Sequence, residues 1–362
     1  MKVAMMEMEQ LLRLIVERGA SDLHLTVGIP PQLRLSGQLV YTDGDALTPE
    51  AIQHLAYSLL TPQQISRFEQ ARELDFSCGI QDLSRFRVNL YYQRGSIAMA
   101  ARVIPFRVPT MEDLRLPSIV KEFADKPTGL VLITGATGSG KSTTQAALID
   151  YINKTRRAHI VSIEDPIEYL HRHNKCTINQ RQLGSDTLSF QEALKHVFRQ
   201  DPDIVVVGEM RDLETFQAAL TLAETGHLIF GTLHTGSAVN SITRIVDVFP
   251  AHQQQQIRVQ LSLVLLGVIV QQLIPHARGQ GRCLAMEVMT VIPAIQNLIR
   301  ENQVHQLYSL IQTGRKYGMN TMNQSLCDLV IGGEITFSEA LKHTLDEQEL
   351  LVLVEKARQR MR

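Results

Sequence analysis

The chain has 362 residues, of which 44% are hydrophobic and 20% charged, and this length and composition predict two or three ordinary globular domains. Lys and Arg number 36 against 37 Asp and Glu, so the net charge of −1 argues against a broad electrostatic surface for DNA or RNA. The four cysteines are widely separated and form no CxxC pair, which argues against a zinc knuckle or a disulfide framework and favours a reduced, cytosolic protein.

The first hundred residues predict a small α+β domain. An opening amphipathic helix is indicated by four apolar residues on one helical face, Met8, Leu11, Leu12 and Ile15. Thr48 and Thr61 each precede a proline, as in a helix N-cap followed by proline at the first helical position. The segments DLHLTV, QLRLSGQLV, ELDFSCG, RFRVNLYY and SIAMAARVI have the residue patterns of strands. We recognise no two-residue hairpin signal, so the order of these strands stays open.

A linker is predicted over residues 105–117. This segment, PFRVPTMEDLRLP, has three prolines and no sustained periodicity. We therefore expect an N-terminal domain over residues 1–104 and a second domain over residues 118–362.

The second domain has the pattern of an α/β fold. Short apolar runs, GLVLIT, HIVSI, DIVVV and HLIFGTL, alternate with helical stretches, as strands buried on both faces of a parallel sheet do. After about residue 250 we expect a mostly helical portion. The most apolar run, LSLVLLGVIV at 261–270, is shorter than the roughly 20 residues that cross a bilayer, so we predict a buried core helix there.

A phosphate-binding loop is predicted at 135–142, where GATGSGKS fits G-x-x-x-x-G-K-S between a buried strand and a helix. Gly138 and Gly140 would let the backbone wrap phosphate oxygens, Lys141 would neutralise the β- and γ-phosphates, and the Ser142 hydroxyl would bind Mg²⁺. The alternative is a glycine-rich turn with a solvated lysine. The candidate nucleotide-binding residues are Gly135, Thr137, Gly138, Ser139, Gly140, Lys141, Ser142 and Thr143.

Two acidic residues follow other strands of the predicted sheet. Glu209 comes directly after DIVVVG and Glu164 ends HIVSIE, so both are expected at the edge that holds the phosphates. Glu209 can hold the magnesium or polarise the attacking water, and Glu164 or Asp165 can act as general base. A surface carboxylate in a turn is the alternative for Glu209. Spacing alone does not divide the roles of Glu164 and Glu209.

A histidine and several arginines complete the candidates. His234 ends HLIFGTL and is either a sensor of the γ-phosphate or a structural histidine; a zinc site is rejected because no cysteine lies nearby. Arg87 and Arg102 belong to the group of N-terminal arginines that also includes Arg85 and Arg94. In a ring, such arginines could reach a phosphate and stabilise transition-state charge, or they could be solvated strand residues.

Motifs along nearly the whole chain resemble those of type IV pilus retraction ATPases of the PilT/PilU kind, within the secretion ATPase superfamily. They are SDLHL, RFRVN, GATGSGKST, SIEDPIEY, DPDIVVVGEMRDLET, ETGHLIFGTLHT and RIVDVFP. AIQNLIRE at 294–301 is similar to the AIRNLIRE motif that marks retraction motors. The resemblance implies a PAS-like N-terminal domain and a RecA-like ATPase domain in a homohexameric ring that uses ATP and Mg²⁺.

The resemblance also implies roles for individual residues. It gives phosphate binding to Lys141, magnesium binding to Ser142, acidic-box catalysis to Glu164, the Walker B role to Glu209 and the histidine-box role to His234. It favours Arg87 and Arg102 as arginines that approach nucleotide from the N-terminal domain.

The expected function is a motor that couples ATP hydrolysis to pilus retraction and twitching motility. Its expected partners are other copies of itself and an inner-membrane platform protein, with a paralogous retraction ATPase as an optional partner and no nucleic acid. The expected location is the cytoplasmic face of the inner membrane. One departure from the family pattern is Gln296, which replaces the arginine of AIRNLIRE.

Several other functions are weighed. A subunit with little activity of its own that depends on a paralogue is left open by Gln296, although Lys141, Glu164 and Glu209 are intact. A related secretion or conjugation ATPase is disfavoured by AIQNLIRE. A nucleic-acid translocase finds no support in the near-neutral charge, and no acceptor pocket of a small-molecule kinase is recognisable.

Overall fold

The computed structural model describes residues 7–35, 37–80, 83–104, 107–279 and 281–360. They divide into two compact units. The first takes in the described residues up to Arg107 and the segment 168–170, and the second takes in residues 108–167 and those from His171 onward. The division lies within the predicted linker 105–117, of which Pro105 and Phe106 lie outside the described residues.

The first unit is an α+β fold. Its helices are α1 (Met8–Glu17), α2 (Pro49–Tyr57) and α3 (Pro62–Ala71). Its strands are β1 (Asp22–Leu25), β2 (Gln32–Leu35), β3 (Gln38–Tyr41), β4 (Glu73–Ile80), β5 (Ser84–Gln93) and β6 (Ser96–Ile104). They form a six-stranded antiparallel sheet in the order β3-β2-β1-β6-β5-β4. One face carries the apolar core that packs with the helices.

The helix signals in this unit are confirmed. The four apolar residues predicted for one face of α1 are all buried. Thr48 Oγ1 accepts a hydrogen bond from the backbone N–H of Ala51, at 3.2 Å, and so caps α2. Thr61 caps α3 in a reciprocal pair with Gln64, whose side chain accepts from the Thr61 N–H at 2.9 Å.

A two-residue hairpin loop, for which the sequence offers no signal, joins β5 and β6. Gln93 pairs with Ser96, so only Arg94 and Gly95 form the loop. Both have positive φ, 49° and 77°, as a type I′ turn requires. Arginine seldom takes this conformation, so the usual Asn-Gly or Asp-Gly signal is missing.

The second unit is built on a seven-stranded sheet in the order β13-β12-β7-β11-β10-β8-β9. The strands are β7 (Gly129–Thr134), β8 (His159–Glu164), β9 (Thr177–Gln182), β10 (Ile204–Val207), β11 (Leu228–Leu233), β12 (Leu265–Pro275) and β13 (Arg282–Thr290). All neighbours are parallel except β12 and β13. Every residue of β7, β10 and β11 is buried, which explains their continuous apolar runs.

Eleven α-helices surround this sheet in the described part of the unit. They are α4 (Ser118–Ala124), α5 (Lys141–Thr155), α6 (Phe190–Val197), α7 (Leu213–Glu224), α8 (Ala238–Asp247), α9 (Ala251–Val264), α10 (Pro293–Arg300), α11 (Leu307–Thr313), α12 (Met322–Ile331), α13 (Phe337–His343) and α14 (Glu347–Arg360). Two short 3₁₀ turns lie at Val304–Gln306 and Arg315–Tyr317. The RecA-like sheet with a helical C-terminal portion agrees with the fold expected from the sequence.

The prediction of a core helix over residues 261–270 is wrong. Helix α9 ends at Val264, and Leu265 begins β12, which pairs in parallel with β7. A strand buried on both faces and a buried helix both give a continuous apolar run, so hydrophobic periodicity could not separate them. The hairpin of β12 and β13 and the strand β9 were likewise not predicted. None of the helices in the described ranges combines the length and apolarity needed to cross a bilayer.

Candidate nucleotide-binding site

The glycine-rich loop 135–140 joins the central strand β7 to α5. Gly135, Gly138 and Gly140 have φ values of 142°, 80° and 92°, in the region that favours glycine. A Cβ atom on Gly135 would also lie 2.4 Å from the backbone oxygen of Gln271 on β12. Glycine is therefore required at 135 by the close approach of β12, a constraint that the motif itself does not reveal.

Lys141 is the first residue of α5 and its side chain folds back over the loop. Its Nζ donates hydrogen bonds to the carbonyl oxygens of Gly135, at 2.7 Å, and Ala136, at 3.0 Å. A phosphate at the N-terminus of α5 would meet both this cation and the positive end of the helix dipole. In the same loop, Ser139 Oγ is buried and finds no hydrogen-bond partner among the described residues. A loop with these properties fits a bound phosphate chain.

Two cavities adjoin the loop. The first, of about 350 Å³, is lined by residues 135–139 on one side and by residues 270–273 and His343 on the other. The second, of about 590 Å³, borders Gly140 and Thr143 and extends toward Leu114 and Leu273. Volumes in this range are typical of small-molecule sites.

The sheet brings the other candidate residues to the same edge. Thr134, the last residue of β7, pairs with Leu233, so the loop and His234 begin side by side. Val207 of β10 pairs with residues of both β11 and β8, so the chain after it lies beside the ends of those two strands. Parallel strands are about 4.8 Å apart, which places the ends of β7 and β8 only ~14 Å from each other.

The Glu209 carboxylate is in contact with the side chains of His234 and Arg211. Its Oε1 lies 3.0 Å from Nε2 of His234. Arg211 donates from Nη2 to Oε2 at 2.7 Å and from Nε to Oε1, and these hydrogen bonds raise the pKa of the guanidinium. Arg211 was not predicted as a partner, although it follows Glu209 by two residues in GEMRD. A metal ion or water at this carboxylate would compete with the guanidinium.

Glu164 has a different environment. Its Oε1 accepts hydrogen bonds from the Ser162 hydroxyl at 2.6 Å and from the Gln180 amide at 3.1 Å. Both donors are neutral, unlike Arg211 beside Glu209. Gly208 lies close by, since a Cβ atom there would be 3.0 Å from Cα of Glu164. The strand ends of β8 and β10 are therefore in close contact, and a larger residue at 208 would force them apart.

Oxygen atoms suited to magnesium are present at this edge. Mg²⁺ in nucleotide sites usually binds one or two protein oxygens together with phosphates and water. Ser142 lies in the first turn of α5 and is half-buried, and the Glu209 side chain is 19% exposed. These two residues fit the ion in chemistry and accessibility.

The predicted arginines lie in the first unit on neighbouring strands. Arg87 of β5 pairs directly with Arg102 of β6. Arg102 Nε donates to Asp22 Oδ1 at 2.7 Å, while Arg87 is exposed. The Nε of Arg85 is buried and has no hydrogen-bond partner within the described ranges.

Comparison with known proteins places the chain in a family. Residues 110–342 match the family described as Type II/IV secretion system protein. The chain is 48% identical over 335 residues to the type IV pilus retraction ATPase PilT of Pseudomonas aeruginosa, a match that covers 92% of this chain and 97% of that protein. The type IV pilus ATPase PilU of the same organism is 42% identical, with coverage of 96% and 91%.

A solved structure extends the likeness to three dimensions. The crystal structure of the pilus retraction motor PilT with bound ADP has a TM-score of 0.90 and 48% identity, and the match covers 95% of this chain and 98% of that one. The resemblance inferred from the motifs is thus confirmed over nearly the whole length. The chain belongs to the Type II/IV secretion system protein family and, within it, to the PilT/PilU group of type IV pilus retraction ATPases.

Proposed function

We propose that this chain is a P-loop motor that hydrolyses ATP to drive retraction of a type IV pilus and hence twitching motility. The observation that carries the proposal is the shared sheet edge. The loop with Lys141 folded over it follows β7, and the Glu209–His234 pair follows the two neighbouring strands. The likeness to PilT, whose solved structure contains ADP, supports the same use of this edge.

Phosphate binding is the first step of the proposed mechanism. Backbone N–H groups of residues 135–140 bind the phosphate chain, and Lys141 exchanges its two carbonyl partners for β- and γ-phosphate oxygens. Ser139 Oγ, buried without a partner in the described chain, is a further donor to the phosphates. Thr137 and Thr143 flank the loop on its two sides, in the first and second cavities.

Hydrolysis follows at the carboxylates. Ser142 and Glu209 would hold Mg²⁺, which when bound neutralises phosphate charge. Glu164 takes a proton from the attacking water, and the hydrogen bonds from Ser162 and Gln180 orient its Oε1 for this role. His234 orients Glu209 from the neighbouring strand and can thereby respond to nucleotide state.

The motor is proposed to work as a homohexameric ring. Arg87 and Arg102 of one copy approach the nucleotide of the next and stabilise transition-state charge, as arginine fingers do. Hydrolysis relaxes one subunit interface and changes the shape of the ring. The ring transmits this change to an inner-membrane platform protein from the cytoplasmic face, and no nucleic acid takes part.

A second candidate function is an accessory retraction subunit that depends on a paralogue. It is favoured by Gln296, which lies on α10 between the buried Ile295 and the exposed Asn297 and removes a positive charge from the family motif. The chain would then bind ATP but hydrolyse little by itself. Pilus retraction in a strain that lacks every paralogue but retains this protein would favour the self-sufficient motor, and loss of retraction there would favour the accessory subunit.

The proposed site is tested by ATP hydrolysis in Lys141→Ala. We expect a loss of at least ~100-fold, because the loop lysine contacts the transferred phosphate. The matched control is Lys154→Ala at the other end of α5, where the lysine forms an exposed ion pair with Asp150. The control should hydrolyse ATP as the wild type does. Wild-type hydrolysis by Lys141→Ala would refute the proposed site.

A further inference from the structure

One row of directly paired residues in the first unit carries four charged side chains. Arg34 pairs with Asp22, Asp22 with Arg102, and Arg102 with Arg87. Directly opposite residues on neighbouring strands point to the same face of a sheet, so these side chains lie next to one another. The other face carries the apolar core, to which Leu23 belongs. The row therefore forms part of the polar face of the sheet.

Asp22 is the fixed centre of this row. It is only 6% exposed, and each of its oxygens has a partner. Oδ1 accepts from Arg102 Nε at 2.7 Å, and Oδ2 accepts from the Ser21 hydroxyl at 2.7 Å. Arg34 Nε lies 3.9 Å from Oδ2 on the other side. The carboxylate thus lies between two guanidinium groups and is oriented by a hydroxyl.

The contacts of Asp22 leave the outer end of Arg102 available. The carboxylate engages Nε, and the Arg102 side chain is 69% exposed. Its Nη1 and Nη2 groups form no hydrogen bond within the described chain. Arg34, by contrast, donates from Nη1 to the carbonyl oxygen of Gly37 at 2.9 Å. Arg102 is therefore held at its inner nitrogen while it presents two N–H₂ groups outward.

The charges in the row do not balance. Three guanidinium groups stand against one carboxylate, and exposed Arg87 has no ion pair in the described ranges. Arginine binds phosphate through pairs of N–H groups in a fixed planar geometry. The adjacent Arg102 and Arg87 therefore offer a site for a phosphate oxyanion.

We propose that Asp22 is a positioning residue that fixes Arg102 for contact with the triphosphate of ATP bound to a second copy of this chain. It acts through Nε of Arg102 and so orients the guanidinium without covering the groups that bind phosphate. Holding the side chain in advance also lowers the entropy lost when the phosphate binds. This inference rests on the proposed function, in which Arg87 and Arg102 approach the nucleotide of a neighbouring subunit.

The test is a double-mutant cycle on the ATPase activity of the full-length chain. We expect Asp22→Asn to lower kcat at least ~10-fold, since a misplaced group near a reacting centre can cost up to 10²-fold, while the KM for ATP changes little. Arg102→Ala should lower kcat further. The double variant should match Arg102→Ala alone, because Asp22 acts through that arginine.

A matched control removes the same charge elsewhere on this face. Asp75 on β4 accepts a hydrogen bond from the Asn89 amide at 3.1 Å and forms no ion pair with an arginine of the row. Asp75→Asn should retain wild-type kcat. Ser21→Ala is the milder variant in case Asp22→Asn folds poorly, because it removes only the hydroxyl that orients the carboxylate. It should lower kcat in the wild-type background and have no effect beside Arg102→Ala.

Three outcomes overturn the inference. Wild-type kcat in both Asp22→Asn and Ser21→Ala refutes a positioning role for Asp22, and so does an effect of Asp22→Asn that multiplies with that of Arg102→Ala. Wild-type kcat in Arg102→Ala refutes the role of Arg102 and the inference with it. The proposed function is tested separately by the rate of ATP hydrolysis in Lys141→Ala. Failure of this inference can therefore be distinguished from failure of the proposed function.

Discussion

His234 Nε2 lies 3.0 Å from Oε1 of Glu209, across the ends of two neighbouring parallel strands. The contact links the residue proposed to hold magnesium with the strand that adjoins the phosphate-binding loop. The proposed role of His234 in hydrolysis rests on this contact.

Removal of this imidazole should slow hydrolysis. We expect His234→Ala to lower kcat about 10- to 100-fold, because partners that orient a metal ligand typically have effects of this size. The matched control is His227→Ala at the opposite end of β11, where the ring packs edge-on against Phe198. Steady-state ATPase assays of both variants check the prediction. Equal activity of the two variants would contradict a role for the contact with Glu209.

Gly135→Ala should destabilise the second unit. A Cβ atom at this position meets the Gln271 oxygen at 2.4 Å, and the backbone φ of 142° is itself unfavourable for alanine. We expect the free energy of unfolding to fall by about 2 kcal/mol or more. Gly236→Ala is the control, because a Cβ atom there has no neighbour within 4 Å. Chemical denaturation of both variants measures the difference in the free energy of unfolding. Equal stability of the two variants would contradict the prediction, because it would mean that β12 moves away from residue 135 at little cost.

The buried carboxyl group of Glu287 should make the stability of the second unit depend on pH. This residue of β13 is 3% exposed, and its carboxylate accepts hydrogen bonds from the first backbone N–H groups of α8 and α12, those of Ala238 and Met322. Burial raises the pKa of the Glu287 carboxyl above its ordinary 4.5, although these hydrogen bonds oppose the shift. The folded state therefore holds a proton that the unfolded state has already released. Its contribution to stability is present below about pH 4.5 and is lost as the pH rises through the folded pKa.

The contribution of Glu287 is measured by comparing the free energy of unfolding of the wild type with that of Glu287→Gln at several pH values. The stability of the wild type relative to the variant should fall with rising pH, by about 1.4 kcal/mol for each pKa unit of the shift. Denaturant unfolding between pH 4.5 and 8 measures it. Glu355→Gln, which removes an exposed carboxylate from α14, should keep the wild-type pH profile. If the curves of Glu287→Gln and the wild type run parallel, the titration of Glu287 does not contribute.

Much of the second unit could be predicted because its strands have a simple chemical pattern. The runs that became β7, β8, β10 and β11 are buried on both faces and rich in β-branched residues. Their alternation with helices predicts that Glu164, Glu209 and His234 lie at one edge of the sheet. By the same logic β12 was missed, since its apolar residues continue without a break from the end of α9.

The contacts within the site could not be predicted in the same way. Arg211 reaches back to Glu209 through its rotamer, which sequence spacing does not determine. Gln271 approaches Gly135 from a strand more than a hundred residues away, and the pairing of Asp22 with Arg102 depends on the register of β1 and β6. Such relations arise from long-range strand pairing. A single sequence carries little signal for them.

The dependence of ATP hydrolysis on protein concentration tests most directly whether catalysis occurs where subunits meet. We expect the activity per chain to rise with concentration as rings assemble and then to reach a plateau, because arginines from a neighbouring copy complete each site. Lys141→Ala should remain inactive over the same range. Activity per chain that is constant from the lowest to the highest concentration, in protein shown to change from monomer to ring, would contradict catalysis at subunit interfaces.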